Sequence, residues 1–212
     1  MTNARINWLV GVGDFAAVKK IGKGSKGNKE QFERNRLCRS ASVLHKHLNS
    51  IEEKPSNSDL WNKVGDIYDL TFNFKKKAIH AFEQALAFSN GNLENQSKYC
   101  FTLGLLYEEL KMWKKSKEYY KRDLSLALNE DDIDGDKSDK ECSVFGVLRC
   151  SFYSQEGVDS LISNLGLAIT HCRDAEKRVG LKQALDSINR NPTVIQSTKI
   201  KQIIDGTETQ SS

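Results

Sequence analysis

Proline is almost absent from this 212-residue chain, with only Pro55 and Pro192 present. Proline breaks helix interiors, so two of them, both at apparent segment ends, leave long helices free to form. No run approaches the ~18 consecutive apolar residues of a helix that crosses a bilayer. The N-terminal residues lack the charged-then-apolar pattern of a signal peptide. The five cysteines, Cys38, Cys100, Cys142, Cys150 and Cys172, are odd in number and contain no CxxC pair. That usage predicts reduced thiols packed in helices, in the cytosol or nucleus. Charged residues make up 28% and hydrophobic residues 38%, the balance of a soluble helical protein.

Clusters that carry chemistry are missing too. His45 and His47 stand two apart and so point to different helix faces, and His80 and His171 are isolated. None has carboxylate or thiol company at metal-ligand spacing. No Ser/His/Asp or Cys/His arrangement is suggested, so no enzyme activity and no cofactor is expected. The segment from Gly11 to Lys19 superficially resembles a kinase glycine-rich loop. Its third glycine is replaced by Ala16, and no HRD or DFG sequence follows. Gly22-Lys-Gly-Ser-Lys-Gly does not fit the phosphate-binding loop pattern either. Glu130, Asp132, Asp134, Gly135 and Glu141 fall on calcium-loop positions, but Glu130 stands where the loop opens with Asp, and Lys137 stands where an apolar residue is needed. An inter-helix loop is the expectation for 130–141.

The net charge of +4 conceals an asymmetry. Residues 1–57 hold eleven Lys/Arg against five Asp/Glu, a local +6, and the remainder carries −2. A basic N-terminal part can touch nucleic acid, with Lys19, Lys20, Lys23 and Lys26 as the candidate contacts. Solvated helix faces are the competing reading.

What the sequence does contain is a repetition. Trp61, Val64, Gly65, Tyr68, Phe74, Ala78, Phe82 and Ala85 are answered by Cys100, Leu103, Gly104, Tyr107, Trp113, Ser116 and Tyr120, with Asp123 where alanine is expected. Gly65 and Gly104 lie 39 residues apart, somewhat longer than the roughly 34-residue tetratricopeptide unit. The small residue lets the two helices of a pair touch, and the aromatic and alanine positions fill the seam. Such pairs bury their apolar faces only against neighbours and stack into a superhelix with a concave surface. The expected fold is all-α, a right-handed solenoid of stacked tetratricopeptide helix pairs.

Three segments are predicted. Residues 1–57 form a basic segment, with a degenerate unit at 13–22 whose first helix is weak or missing and whose turn aromatic is Phe15. A Gly/Lys-rich loop follows, and then one long helix over 30–53 carries Phe32, Leu37, Ala41, Leu44, Leu48 and Ile51. Residues 58–190 form the array, opened by Ser58 as N-cap, with pairs at 58–71/74–89 and 94–110/112–129. A degenerate third pair contains Phe145, Gly146, Leu148 and Phe152, then Val158, Leu161, Ile162, Leu165 and Ile169. A capping helix over 174–189 bears Val179, Leu181, Ala184, Leu185 and Ile188. Residues 191–212 are expected to be a mostly disordered tail.

First-helix positions build the concave face of such an array. Here they are Asp59, Asn62, Asp66 and Asp69, then Lys98, Phe101, Leu105, Glu108 and Glu109. A groove that clamps an acidic C-terminus needs Asn or basic groups where Asp66 and Asp69 stand, so like charge disfavours that ligand. A basic or mixed-charge protein segment fits better, with Phe101 and Leu105 as apolar anchors.

In order, Gly13-Asp14-Phe15, the long linking helix, Val64-Gly65-Asp66, Leu103-Gly104, Tyr119 to Leu124 and Leu165 to Cys172 resemble the later tetratricopeptide region of Tonsoku-like proteins, over roughly residues 10–190. The resemblance implies a nuclear scaffold for replication-fork maintenance and double-strand break repair by homologous recombination. The implied partners are a large recombination protein, histones, histone chaperones and the replicative helicase. This sequence contains no ankyrin or leucine-rich repeats and none of the earlier tetratricopeptide repeats, so no motif residue for histone reading carries over. Lengthened arrays such as the LGN polarity adaptors share much of the pattern, which leaves a cytoplasmic signalling or polarity adaptor as the alternative.

Overall fold

The computed structural model describes residues 3–21, 29–128 and 138–205. Among them every regular element is helical. The chain divides into two compact units, residues 1–91 and 92–212. That division falls inside the expected array and not at residue 57.

The first unit holds α1 (Asn3–Val12), α2 (Phe15–Ile21), α3 (Lys29–Glu53), α4 (Ser58–Asp66) and α5 (Lys75–Ala87). The helix expected to be weak or missing before Phe15 is present as α1. It buries Ile6, Leu9 and Val10 and reverses into α2 at Gly13, whose φ of 82° is left-handed. Phe15 stacks on His45 of α3 at 4.8 Å. The long helix buries Leu37, Cys38, Ala41, Leu44 and Ile51, but Phe32, placed on that face by spacing, is 67% exposed. The N-cap of α4 is Asn57, not Ser58: its side chain accepts from the Leu60 amide at 3.1 Å, one residue earlier than expected.

The second unit holds α6 (Leu93–Glu109), α7 (Trp113–Leu128), α8 (Ser138–Tyr153), α9 (Val158–His171), α10 (Ala175–Arg190) and α11 (Thr198–Asp205). Consecutive helices pack on one another. The tail departs from expectation. Residues 192–196 form a 3-10 turn, and α11 inserts Ile200, Ile203 and Ile204 into the core made by α8, α9 and α10. Three isoleucines spaced i, i+3, i+4 put enough apolar surface on one face of this short helix to hold it down. Val179, expected to face that core, is 54% exposed.

The glycines of the repeat explain the seams. A Cβ on Gly65 would come within 2.8 Å of the Phe82 ring, and one on Gly104 within 2.7 Å of Tyr120. Tyr120 is also seated on Gly146, where a Cβ would stand 2.5 Å from the ring. One aromatic thus fits between glycines of α6 and α8. Asp123, in the alanine position, is buried because the Ser97 hydroxyl of α6 and the Ser143 hydroxyl of α8 both donate to it. Two donors satisfy a carboxylate that would otherwise be costly to bury.

Four first helices end alike, with a left-handed residue at Gly13, Asn73, Lys111 and Gln155. The amide after it reaches back five residues in three cases, Asp14 to Leu9 O, Met112 to Tyr107 O and Glu156 to Ser151 O. This is the Schellman closure of a helix C-terminus. In the fourth, Phe74 reaches six residues back to Tyr68 O at 2.8 Å, because a π-helical turn over 67–71 holds one extra residue. Ala78 and Ser116 are accordingly one residue closer in sequence than Gly65 and Gly104. The N-cap Phe74 therefore corresponds to Met112 and not to Trp113, which corrects the expected pairing of turn aromatics.

Candidate partner-binding groove

The residues expected to line a groove fall in both units. In the first, Asp59 is exposed at the start of α4, and the Asn62 amide donates to Asp66 at 3.5 Å. Asp69 does not offer its charge to a partner: it lies in the π turn, 2.6 Å from Lys75 Nζ, with only 17% of its side chain exposed. The extra residue of that turn brings Asp69 over the start of α5, and the like-charge argument drawn from it loses its basis.

In the second unit the structure builds a concavity of about 260 Å³. Its walls are Phe101 and Leu105 of α6, Glu141, Cys142, Phe145 and Arg149 of α8, and Lys177 of α10. These are alternate helices, each the first of its pair or the capping helix. Phe101 and Leu105, counted from Cys100 onto the expected concave face, both line this concavity, and Leu105 is 39% exposed. Lys98 and Glu109 are exposed on the same helix but do not line this concavity.

Glu108 is committed within the fold. Arg149 Nε donates to Oε1 at 2.6 Å and Nη2 to Oε2 at 3.1 Å, and the Tyr120 hydroxyl donates to Oε2 at 2.7 Å. Burial, reinforced by the Glu108 carboxylate, pushes the Tyr120 phenol far above its ordinary range, so it remains a donor. Lys177 caps the groove with its ammonium 3.9 Å above the Phe145 ring centroid, a cation–π contact. Burial, and then the Glu141 charge, pushes the Cys172 thiol up.

The α8 and α10 walls were not read from the sequence. Cys142, Phe145 and Arg149 recur at i, i+3 and i+7 along α8, and Phe101, Leu105 and Glu108 at i, i+4 and i+7 along α6, each set on one helix face. Spacing places Phe145 in the first helix of the degenerate third pair, and the structure adds that it lines this concavity.

The basic candidates are divided. Lys19 and Lys20 are exposed in the last turn of α2, and Lys23 and Lys26 lie outside the described residues. So does most of the acidic loop. Among the described residues no group of three or more His, Cys, Asp or Glu is placed to hold a metal ion, and no helix is long and apolar enough to cross a membrane. The groove offers an apolar floor and a charged rim of both signs. No protein-family model matches the chain, and no match is found among curated proteins.

Proposed function

We propose that this chain is a non-enzymatic protein-binding scaffold, a solenoid of tetratricopeptide helix pairs whose α6–α8–α10 groove holds a segment of a partner protein. The observation that carries the reading is the groove: Phe101, Leu105 and Phe145 form an apolar floor on alternate helices, with Glu141 and Lys177 at its rim. The glycine-seated aromatics and the four left-handed helix ends support the repeat architecture. Because Arg149 occupies Glu108, the partner is a mixed-charge segment with one apolar anchor, and a strongly basic one is less well matched.

The setting we propose, replication-fork maintenance and homologous recombination in the nucleus, rests on the resemblance to Tonsoku-like proteins. Recombination proteins, histone chaperones and the replicative helicase are the partners that resemblance implies. The alternative is a cytoplasmic adaptor of the same fold. Proximity labelling in dividing cells tests both, with Leu105→Lys as the paired control. Enrichment of fork and recombination proteins that falls in the variant is expected. Enrichment of cortical or cytoskeletal proteins would favour the adaptor, and enrichment unaffected by Leu105→Lys would sink the groove assignment.

A further inference from the structure

The second unit has another concavity that shares no lining residue with the groove. It is an open hollow of about 440 Å³ at the α6–α7 and α8–α9 turns, bounded by Lys111, Met112, Trp113, Lys114, Lys115 and Tyr153. Its floor is aromatic: Trp113 and Tyr153 stack at 4.9 Å with ring planes 20° apart. Met112 stands at the rim, 41% exposed.

The lysines are placed against the interest of the helix. Trp113, Lys114 and Lys115 form the first turn of α7, which contains no acidic residue. The positive end of the helix dipole disfavours cations there. The corresponding turn of α5 also begins with lysines; there Lys75 is held by Asp69 and Lys77 donates to the Gly11 carbonyl at 2.6 Å, and Lys76, which matches Lys114, is exposed. Lys111, Lys114 and Lys115 are exposed and take part in no ion pair among the described residues. Of the nearby carboxylates, Glu156 is engaged by Lys117 and Asp205 by the Tyr153 hydroxyl at 2.8 Å, while Glu118, one turn on in α7, is exposed. Lys115 lies over the Tyr107 ring, 5.2 Å from its centroid, but no carboxylate among the described residues compensates the three charges. Such a departure from a local rule marks a surface shaped for something outside the fold.

We propose that this hollow docks an acidic segment of a partner protein, one aromatic or aliphatic side chain resting against Met112 and the Trp113–Tyr153 stack while its carboxylates meet the three lysines. A nucleic acid is the less suitable polyanion. The three lysines stand together at one rim of a hollow of about 440 Å³, a short patch that matches a few carboxylates of a peptide and not a continuous run of phosphates.

The test uses the full chain and a short labelled peptide of Asp and Glu around a single Phe, followed by fluorescence anisotropy. Binding should weaken as salt rises and fall roughly tenfold or more in Lys114→Glu/Lys115→Glu, since charge reversal across an interface is repulsive. That variant favours the helix dipole and so should keep its melting temperature. Lys114→Arg/Lys115→Arg should retain binding, as should Leu105→Lys in the separate groove. Equal or tighter binding of a single-stranded oligonucleotide of matching charge would overturn the choice of partner. Absence of peptide binding, or binding unaffected by charge reversal, would overturn the site itself.

Discussion

Arg149 of α8 grips Glu108 of α6 through two guanidinium nitrogens, at 2.6 and 3.1 Å. The pair is one of the polar ties between alternate helices of the second unit, and Tyr120 adds its hydroxyl to the same carboxylate. Arg149→Ala should therefore cost more than an exposed ion pair, about 1–3 kcal/mol, because it leaves a partly buried carboxylate short of donors. Tyr120→Phe removes one neutral donor and should cost about 0.5–1.5 kcal/mol. Urea unfolding of the two variants checks the order.

Two helical glycines of the second unit, Gly146 in α8 and Gly166 in α9, should respond with opposite signs. Gly146→Ala puts a methyl 2.5 Å from the Tyr120 ring, itself fully buried. Overpacking of that kind costs about 1–3 kcal/mol, more than the ~1 kcal/mol that alanine gains in helix propensity. Gly166 lies in α9 with nothing within 4 Å of its Cβ position. Gly166→Ala should stabilise by about 0.5–1 kcal/mol. Thermal melts that move in the same direction for both would refute the seating of Tyr120.

Acid should expose the Lys117–Glu156 pair. Burial alone would raise the Glu156 carboxyl, but hydrogen bonds from Lys117 and Ser160 and the Lys117 charge outweigh it and hold the group at about 2. A carboxyl held below its ordinary value of 4.5 contributes stability that is fully present above that value and fades as pH falls towards about 2. Glu156→Gln should thus melt below the native chain at neutral pH, and the gap should close across that acid window. A gap independent of pH would show that the pair does not act through charge.

Thiol chemistry should single out one cysteine of five. Cys142 is exposed, and the other four are buried. Burial pushes Cys100 and Cys150 up to about 11 and raises Cys38 and Cys172 as well, so few thiolates form at neutral pH. Maleimide labelling of the folded chain followed by peptide mapping should find Cys142 modified first, and the rest only on unfolding. Since Cys142 lines the groove, a label there should also hinder any segment bound in it.

Much of this was legible from residue spacing. Gly65, Gly104 and Gly146 announced where helices approach, because only a missing side chain admits a ring at such distances. Counting from Cys100 puts Phe101 and Leu105 on one face of α6, and both line a concavity of the second unit. What escaped notice depended on partners distant in sequence. Asp123 looks like an error in the alanine position until Ser97 and Ser143 arrive from α6 and α8 to satisfy it. Asp69 looked like an exposed charge because nothing in its own helix reveals that a π turn carries it to Lys75. Residues 192–205 looked too short and polar to fold alone, and α11 is held by a core that other helices supply.

The π turn at 67–71 separates two properties that an ordinary helix couples. In an α-helix an added residue rotates everything beyond it by about 100°, and the whole seam would slip. Here the surplus is pushed outward as Leu70, 79% exposed, while Ala78, Phe82 and Ala85 remain buried in the seam beyond it. The chain can therefore change length at this point without changing fit, as a tailored sleeve takes up slack in a single pleat.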